Sequence, residues 1–317
     1  MKAGLIVNPS SGKNSGKGLK LAAALGDAIP VKVLGQFSEL EGALRDMAAQ
    51  GVDMLAISSG DGTIQAIQTM LAENRIFPKL PELMLIPHGT TNMTAADLGV
   101  KTRNIARLAL FLQSGPALLA AERRARPTLR IANPGDGRVR HGMFTGTGAI
   151  WKAVQYCQTA VHGTGLKGEA ATCATLAISV AGLLFNRDTP EDERIARAWP
   201  ITAHADGKPM GQGGKLLFLA TTLDKLVLGS RPFWGGKRGP IRASVLPFPI
   251  GSLWRWLIPA LYGSENRNMP PGAESVSGTR FEVQTETDWI VDGEFFPAPE
   301  QDPLIITAGV EFTYLVV

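Results

Sequence analysis

Cysteine and histidine are scarce in this chain of 317 residues. The two cysteines, Cys157 and Cys173, lack the spacing of a metal site, and the four histidines form no ligand cluster along the sequence. We therefore expect no structural zinc. No secretory signal opens the chain, so we expect reduced thiols and a cytoplasmic location.

Two common nucleotide-binding fingerprints are also missing. Gly12-Lys13-Asn14 does not fit G-x-x-x-x-G-K-[ST], and no G-x-G-x-x-G motif follows the first predicted strand. The second absence disfavours hydride chemistry on a Rossmann unit. The formal net charge of +4 is too small to imply a nucleic-acid partner by itself, so we expect none.

The first third of the chain alternates strand and helix signals. Strands separated by helices are typical of a doubly wound parallel sheet, and the chain is long for a single domain. The strands are predicted at 4–7, 31–34, 54–58 and 83–86, and the helices at 16–28, 38–50 with Ser38 as N-cap, 63–73, 93–97 and 102–112. We expect an α/β nucleotide-binding domain over residues 1–124.

The pattern changes at the charged, proline-containing junction 122–127. Turn signals between β-rich runs then predict an antiparallel sandwich or barrel with one or two helices. One helix is expected at Ala170–Phe185, which is too short to span a bilayer. We therefore expect a β-rich sandwich domain over residues 125–304, with strand-like stretches after it.

Three glycine-containing loops directly follow three of the predicted strands. At this edge of an open α/β sheet, helix N-termini and backbone amides hold anions, and glycine lets the backbone approach a phosphate closely. The loops are Asn8-Pro9-Ser10-Ser11-Gly12, Ser59-Gly60-Asp61-Gly62-Thr63 and Pro87-His88-Gly89-Thr90-Thr91-Asn92. Each loop alone is weak evidence, but three on one edge predict a phosphate site.

The order Asn-Pro-x-Ser-Gly, Gly-Asp-Gly-Thr and Pro-x-Gly-Thr-x-Asn, followed much later by Asp292-Gly293-Glu294, resembles the diacylglycerol kinase catalytic-domain family. That family includes sphingosine, ceramide and bacterial lipid kinases and is distantly similar to NAD kinase. The resemblance implies an α/β nucleotide domain, a β-rich lipid or substrate domain, and an active site between them. By analogy the final strands, 305–317, return to the first domain. ATP and Mg²⁺ are the implied cofactors.

The resemblance also implies the roles of individual residues. Phosphoryl transfer needs positioning, charge neutralisation and a carboxylate that takes the proton of the acceptor hydroxyl. The candidates for that base are Glu294, Asp292 and Asp61, with Glu294 slightly preferred over Asp292. The candidates for nucleotide binding are Asn8, Ser11, Gly12, Gly60, Asp61, Gly62, Thr63, Gly89, Thr90 and Asn92. The metal ligands stay unassigned.

Plainer interpretations exist for both acidic motifs. Asp292-Gly293 is a standard signal for a two-residue hairpin turn. Asp61 is a natural N-cap for the helix predicted at 63–73, although capping and catalysis are not exclusive there.

Several family residues are missing. Asn92 is followed by Met93-Thr94-Ala95-Ala96, where the family commonly has Asp-Phe-Ala-Arg. Leu34-Gly35-Gln36 replaces a threonine that meets the nucleotide, and Arg238-Gly239-Pro240-Ile241 replaces a metal-supporting Asp-Gly-Leu. These departures keep open a non-catalytic regulator that binds nucleotide or lipid. The shared Gly-Asp-Gly-Thr element keeps an NAD kinase-like phosphotransferase as the other alternative.

No acidic residue lies between Asp224 and Glu265. Basic residues among interfacial aromatics are typical of a peripheral membrane surface, while the alternative is tryptophans in the core and arginines in water. The basic and tryptophan residues of the stretch are Lys225, Arg231, Lys237, Arg238, Arg242, Arg255, Trp234, Trp254 and Trp256.

We expect a lipid alcohol substrate, with diacylglycerol or a sphingoid-like lipid as acceptor. Peripheral contact would be with the inner membrane face. The sequence leaves a homodimer open.

Overall fold

A computed structural model describes residues 1–11, 16–89, 91–101, 104–133, 135–164, 194–251, 253–265, 267–299 and 301–317. Side chains are described for these residues except 157–164, 253 and 254. Gly12 and Thr90 of the predicted phosphate loops and the expected helix Ala170–Phe185 lie outside the described residues, as do the thiol of Cys157 and the whole of Cys173.

The chain divides into two compact units. The first comprises Met1–Arg126 with Val310–Val317, and the second comprises Pro127–Gly309. The strands are β1 Ala3–Val7, β2 Val31–Val33, β3 Met54–Ser59, β4 Glu82–Pro87, β5 Glu122–Asn133, β6 Arg138–Gly142, β7 Phe144–Gly148, β8 Ile201–Ala205, β9 Lys208–Pro209, β10 Lys215–Thr221, β11 Ile241–Pro247, β12 Glu274–Gly278, β13 Arg280–Thr285, β14 Trp289–Val291, β15 Glu294–Phe296 and β16 Leu304–Val316.

The α-helices are α1 Gly16–Leu25, α2 Leu40–Ala49, α3 Asp61–Glu73, α4 Met93–Asp97, α5 Ile105–Gln113, α6 Gly115–Ala120, α7 Ala149–Thr164 and α8 Leu253–Leu261. Short 3-10 turns occur at Phe37–Glu39 and Val227–Gly229. None of the described helices is both long and apolar enough to cross a membrane.

The first unit is built on a parallel sheet in the order β2-β1-β3-β4. The end of β16 joins it beside β4, with Tyr314 opposite Leu83. Helices cover both faces, so β1 and β3 are buried throughout and read as unbroken apolar runs. Along β3, Leu55 and Ile57 pack in the cluster that holds α2 and α3, whereas Met54 and Ala56 pack with α1 and α5. The predicted doubly wound α/β fold is confirmed.

The second unit is antiparallel. One sheet has the order β12-β11-β10-β7-β14-β15. A second ladder pairs β9, β8, β13 and the Leu304–Thr307 part of β16, and β5 pairs with β6. Phe218 and Trp289 of the first sheet share one core with Phe281 and Ile306 of the second ladder. The predicted β-rich sandwich is therefore confirmed.

The start of α2 and the presence of α6 differ from the prediction. Ser38 lies inside the 3-10 turn, and α2 has Glu39 at its N-cap with no side-chain hydrogen bond, so the Ser38 prediction is wrong. The prediction also missed α6, although its signals are present. Ser114 Oγ accepts a hydrogen bond from Ala117 N at 3.3 Å, and a proline stands in the first turn.

Candidate functional site

Asn8, directly after β1, joins the first loop to the start of α3. Its Nδ2 donates a hydrogen bond to Thr63 Oγ1 at 2.9 Å, and its Oδ1 accepts one from Ser10 N at 3.0 Å. The amide therefore fixes the shape of its own loop and the rotamer of the threonine at once. Both residues were predicted for the nucleotide site, and the structure brings them into contact.

Ser11 connects the first loop with the second. Its Oγ accepts hydrogen bonds from Gly60 N at 2.9 Å and from Ser59 Oγ at 3.1 Å. Ser11 and Gly60 were both predicted site residues, and they are 49 positions apart in sequence. The hydroxyl thus holds the two loops at hydrogen-bond distance at the same sheet edge.

The second and third loops meet at two glycines. A Cβ added to Gly89 would lie 2.4 Å from the Gly60 Cα, a separation that no real Cβ tolerates. Asn92 closes the third loop, because its Oδ1 accepts from Gly89 N at 2.9 Å and its Nδ2 donates to Gly89 O at 2.7 Å. Asn92 itself is left-handed, with φ at 47°, a conformation that asparagine adopts more readily than most residues.

The N-terminus of α3 points into this meeting of loops. Gly60 is the N-cap and supplies no side-chain hydrogen bond. The first-turn amides, from Asp61, Gly62 and Thr63, have no acceptor within the helix, and the helix dipole adds partial positive charge there. Such a terminus can hold a phosphate group. The N-cap role considered for Asp61 is wrong, since Asp61 is the first residue of the helix proper.

The Asp61 carboxylate serves a different helix. Its Oδ2 accepts a hydrogen bond from Met93 N at 3.0 Å, at the start of α4. Burial raises the pKa of Asp61 from 3.8 to about 6, against the opposing effect of the backbone amides of Met93, Thr94 and Asn92. The other oxygen, Oδ1, is buried and has no hydrogen-bond partner among the described residues. It is available for a proton or a cation.

A buried polar pair that the sequence interpretation missed lies beneath the loops. Ser58 Oγ and His88 Nδ1 are 2.7 Å apart, and both side chains are buried. His88 occupies the variable position of Pro-x-Gly-Thr, so the motif gave no signal for it. Gly18 of α1 was missed too. A Cβ there would lie 2.5 Å from Ser58 Oγ, so only glycine lets α1 pack this close to β3.

These three loops fall inside a known domain. Residues 2–118 match the model of the diacylglycerol kinase catalytic domain. This stretch, somewhat more than a third of the chain, is similar to that family. The resemblance inferred from the three motifs is thereby confirmed, and the matched stretch includes every loop contact given above.

Two relatives extend the comparison. A stretch of 92 residues is 32% identical to a "Probable lipid kinase YegS-like" protein of Stenotrophomonas maltophilia (strain K279a), over 29% of this chain and 30% of the relative. The chain thus matches less than a third of that relative's length. A diacylglycerol kinase structure from Bacillus anthracis str. Sterne has a TM-score of 0.64 at 19% identity, covering 100% of this chain and 97% of the other. At this identity the likeness shows the fold alone.

In the second unit, Asp292 and Gly293 form the turn of the β14–β15 hairpin, with φ at 49° and 91°. The buried Asp292 carboxylate accepts hydrogen bonds from Met143 N at 3.0 Å and Phe144 N at 2.9 Å. Both of its oxygens are therefore held by backbone amides between β6 and β7. The turn expected from the plain hairpin interpretation is present, and a catalytic role for Asp292 stays a prediction.

Glu294, the first residue of β15, is in a different situation. Its side chain is exposed and makes no hydrogen bond or ion pair with any described residue. Of the two acidic residues in this motif, Glu294 is the one whose carboxylate is not already used by the fold. Its role as base stays a prediction.

Proposed function

We propose that this chain is an ATP-dependent lipid kinase that transfers the γ-phosphoryl group to a lipid hydroxyl, on diacylglycerol or a sphingoid-like lipid. The observation that carries the proposal is the meeting of three loops, where Ser11 Oγ lies 2.9 Å from Gly60 N and Gly60 faces Gly89 without room for a side chain. The diacylglycerol kinase domain over residues 2–118 supports phosphoryl transfer. The lipid kinase name of the relative supports the class of acceptor.

Phosphoryl transfer asks a protein for positioning and charge neutralisation. In this proposal the amides of Asp61, Gly62 and Thr63 bind phosphate oxygens, and Gly60 and Gly89 let the chain approach them. Asn8 holds the Thr63 hydroxyl in one orientation, so that donor is preorganised. These amides and the Thr63 hydroxyl would bind the phosphate oxygens in place of a Walker-type lysine.

Mg²⁺ neutralises phosphate charge when it is bound. The unpartnered Oδ1 of Asp61 is the ligand that this chain offers, and a cation there would favour the charged carboxylate over the protonated form. The described residues contain no group of three or more His, Cys, Asp or Glu side chains that could hold a metal. The remaining ligands would therefore be phosphate and water oxygens, as is usual for Mg²⁺.

The acceptor hydroxyl must lose a proton as the new bond forms. We propose Glu294 as the base, because its carboxylate makes no contact that the reaction would have to break. Asp292 is a positioning residue: it fixes the hairpin from which Glu294 projects. Asp61 lies at the phosphate loops and acts on the nucleotide in this scheme.

One assay separates the proposal from its alternatives. Purified protein is incubated with γ-labelled ATP, Mg²⁺, NAD and mixed micelles of lipid alcohols, and the labelled product is identified. A phosphorylated lipid is expected, with its formation lost in Glu294→Gln and kept in Glu286→Gln, an exposed glutamate of the same unit. Labelled NADP would show an NAD kinase-like enzyme. Nucleotide binding without transfer would show a regulator.

A further inference from the structure

Three large apolar side chains are exposed at one place in the second unit. They are Leu228, Ile258 and Tyr262, which are 46%, 61% and 44% exposed. Tyr262 joins them, because its Oη donates to Leu228 O at 3.4 Å and its N donates to Ile258 O at 2.7 Å. We call these three residues the α8 patch.

Leu228 is held outward in a strained conformation. Its φ of 56° and ψ of 25° lie in the left-handed region, where a Cβ crowds the backbone. A tight turn imposes this conformation, since Leu226 N donates to Ser230 O at 2.8 Å and Gly229 N donates to Leu226 O at 3.0 Å. The backbone at Leu228 is strained, yet its side chain is exposed and adds little to the core. We infer that this leucine serves a contact with another surface.

The rest of the patch lies on α8 and directly after it. Arg255 and Ile258 are three positions apart on one face of the helix, and Tyr262, directly after its end, continues the spacing through its hydrogen bond to Ile258 O, while Ala260 is buried. A helix of nine residues is about 14 Å long and cannot cross a bilayer. It can lie along a bilayer surface with its apolar face inserted.

The patch is firmly attached to the second unit. Arg267 Nη2 donates to Ala260 O at 3.0 Å and to Arg231 O at 2.7 Å, and Arg231 N donates to Leu261 O at 2.6 Å. The Arg267 guanidinium also lies 5.2 Å from the centre of the Trp234 ring. A rigid patch loses little conformational entropy when it binds a surface.

The charges around the patch select its partner. Arg231 and Arg255 are exposed and Arg267 is half-buried, whereas the nearest acidic residues in sequence are Asp224 and Glu265. Asp224 is paired with Arg242 at 3.1 Å, and the Arg267 guanidinium is occupied within the unit, which leaves exposed Glu265 against two exposed arginines. Aliphatic and tyrosine side chains rimmed by arginine match the boundary between acyl chains and anionic headgroups.

We propose that the α8 patch inserts into the surface of an anionic lipid bilayer. The apolar side chains enter the acyl boundary, and the exposed Arg231 and Arg255 lie at the level of the phosphates. The binding needs neither ATP nor a phosphoryl acceptor. It can therefore hold if the kinase proposal fails, and it can fail if that proposal holds.

Vesicle co-sedimentation without nucleotide tests this surface. The wild-type protein should bind phosphatidylcholine vesicles that contain phosphatidylglycerol and bind pure phosphatidylcholine much less. Ile258→Ser with Tyr262→Ser should weaken binding at least about tenfold. Leu110→Ser is the matched control, since Leu110 is 69% exposed on α5 of the first unit, and it should bind like wild type.

Leu228→Gly is a second variant whose loss of binding could not be explained by misfolding. Glycine tolerates the left-handed conformation, so this variant should unfold at a higher temperature than wild type and still bind anionic vesicles more weakly. Unchanged binding in both the double variant and Leu228→Gly would overturn the proposal, as would equal binding to neutral vesicles. So would a wild-type dimer that the double variant turns into monomers, because the patch would then be an interface between copies.

Discussion

At Asp61, folding and the proposed activity favour different protonation states. Burial favours the neutral carboxyl, whereas a bound cation would favour the charged carboxylate. Burial raises its pKa from 3.8 to about 6, so between those values the folded protein holds a proton that the unfolded chain has released. The stability that this residue contributes is therefore complete below about pH 3.8 and is lost as pH rises through about 6. The fold tolerates this cost, which a bound cation would offset.

We predict a pH-dependent difference between the wild type and Asp61→Asn. The pKa change corresponds to about 3 kcal/mol, so the wild type should lose about that much unfolding free energy relative to the variant between about pH 3 and about pH 8. Denaturant unfolding in a metal-free buffer measures it. Parallel stability curves for the two proteins would mean that the carboxyl is not desolvated.

Among the elements, the β14–β15 hairpin carries two acidic residues with different roles: Asp292 is structural, and Glu294 is the proposed base. Asp292 binds the amides of Met143 and Phe144, and its replacement by alanine leaves both buried donors without an acceptor. We predict that Asp292→Ala lowers the unfolding free energy by about 2–4 kcal/mol. Asp292→Asn, which keeps an acceptor and suits a left-handed φ, should cost less.

Glu294 in the same hairpin should behave in the opposite way. Glu294→Gln removes no contact with any described residue, so its unfolding free energy should stay within about 0.5 kcal/mol of the wild type. Transfer to lipid should fall at least about a hundredfold. A Glu294→Gln protein with normal turnover would assign the base to another residue.

The elements of the first unit could be predicted because their signals are local. Apolar runs located β1, β3 and β4, and the glycines after them located the loops. What could not be predicted is contact between loops: Ser11 with Gly60, Gly60 with Gly89, and Asp61 with α4 instead of its own helix. Those depend on which strands become neighbours, and no local pattern encodes that. The left-handed turn at Leu228 is local, but leucine is not a residue that signals a left-handed conformation, so no pattern predicted it.

For the molecule as a whole, the first unit is built from two distant parts of the chain, Met1–Arg126 and Val310–Val317. Gln68 Nε2 of α3 donates to Tyr314 Oη of β16 at 2.7 Å, across 246 positions of sequence, and both side chains are fully buried. The first unit, which holds the proposed nucleotide site, therefore cannot form all its buried contacts until β16 has been synthesised.

We predict that Tyr314→Phe lowers the unfolding free energy by about 1–3 kcal/mol, because it removes a buried acceptor. Tyr314→Phe combined with Gln68→Met should cost less than the sum of the two single changes, since both polar groups are then gone. A double-mutant cycle by denaturant unfolding measures the coupling. Strict additivity would show that this hydrogen bond does not form.

The most direct test of the account is the binding of MgATP at the three loops. Calorimetric titration should give one site in the wild type, and at least about tenfold weaker binding in Gly89→Ala, whose Cβ would lie 2.4 Å from the Gly60 Cα. Gly42→Ala is the control, because a Cβ on that residue of α2 meets nothing within 4 Å. It should bind MgATP like the wild type. Failure of the wild type to bind MgATP, or equal binding by all three proteins, would contradict the account.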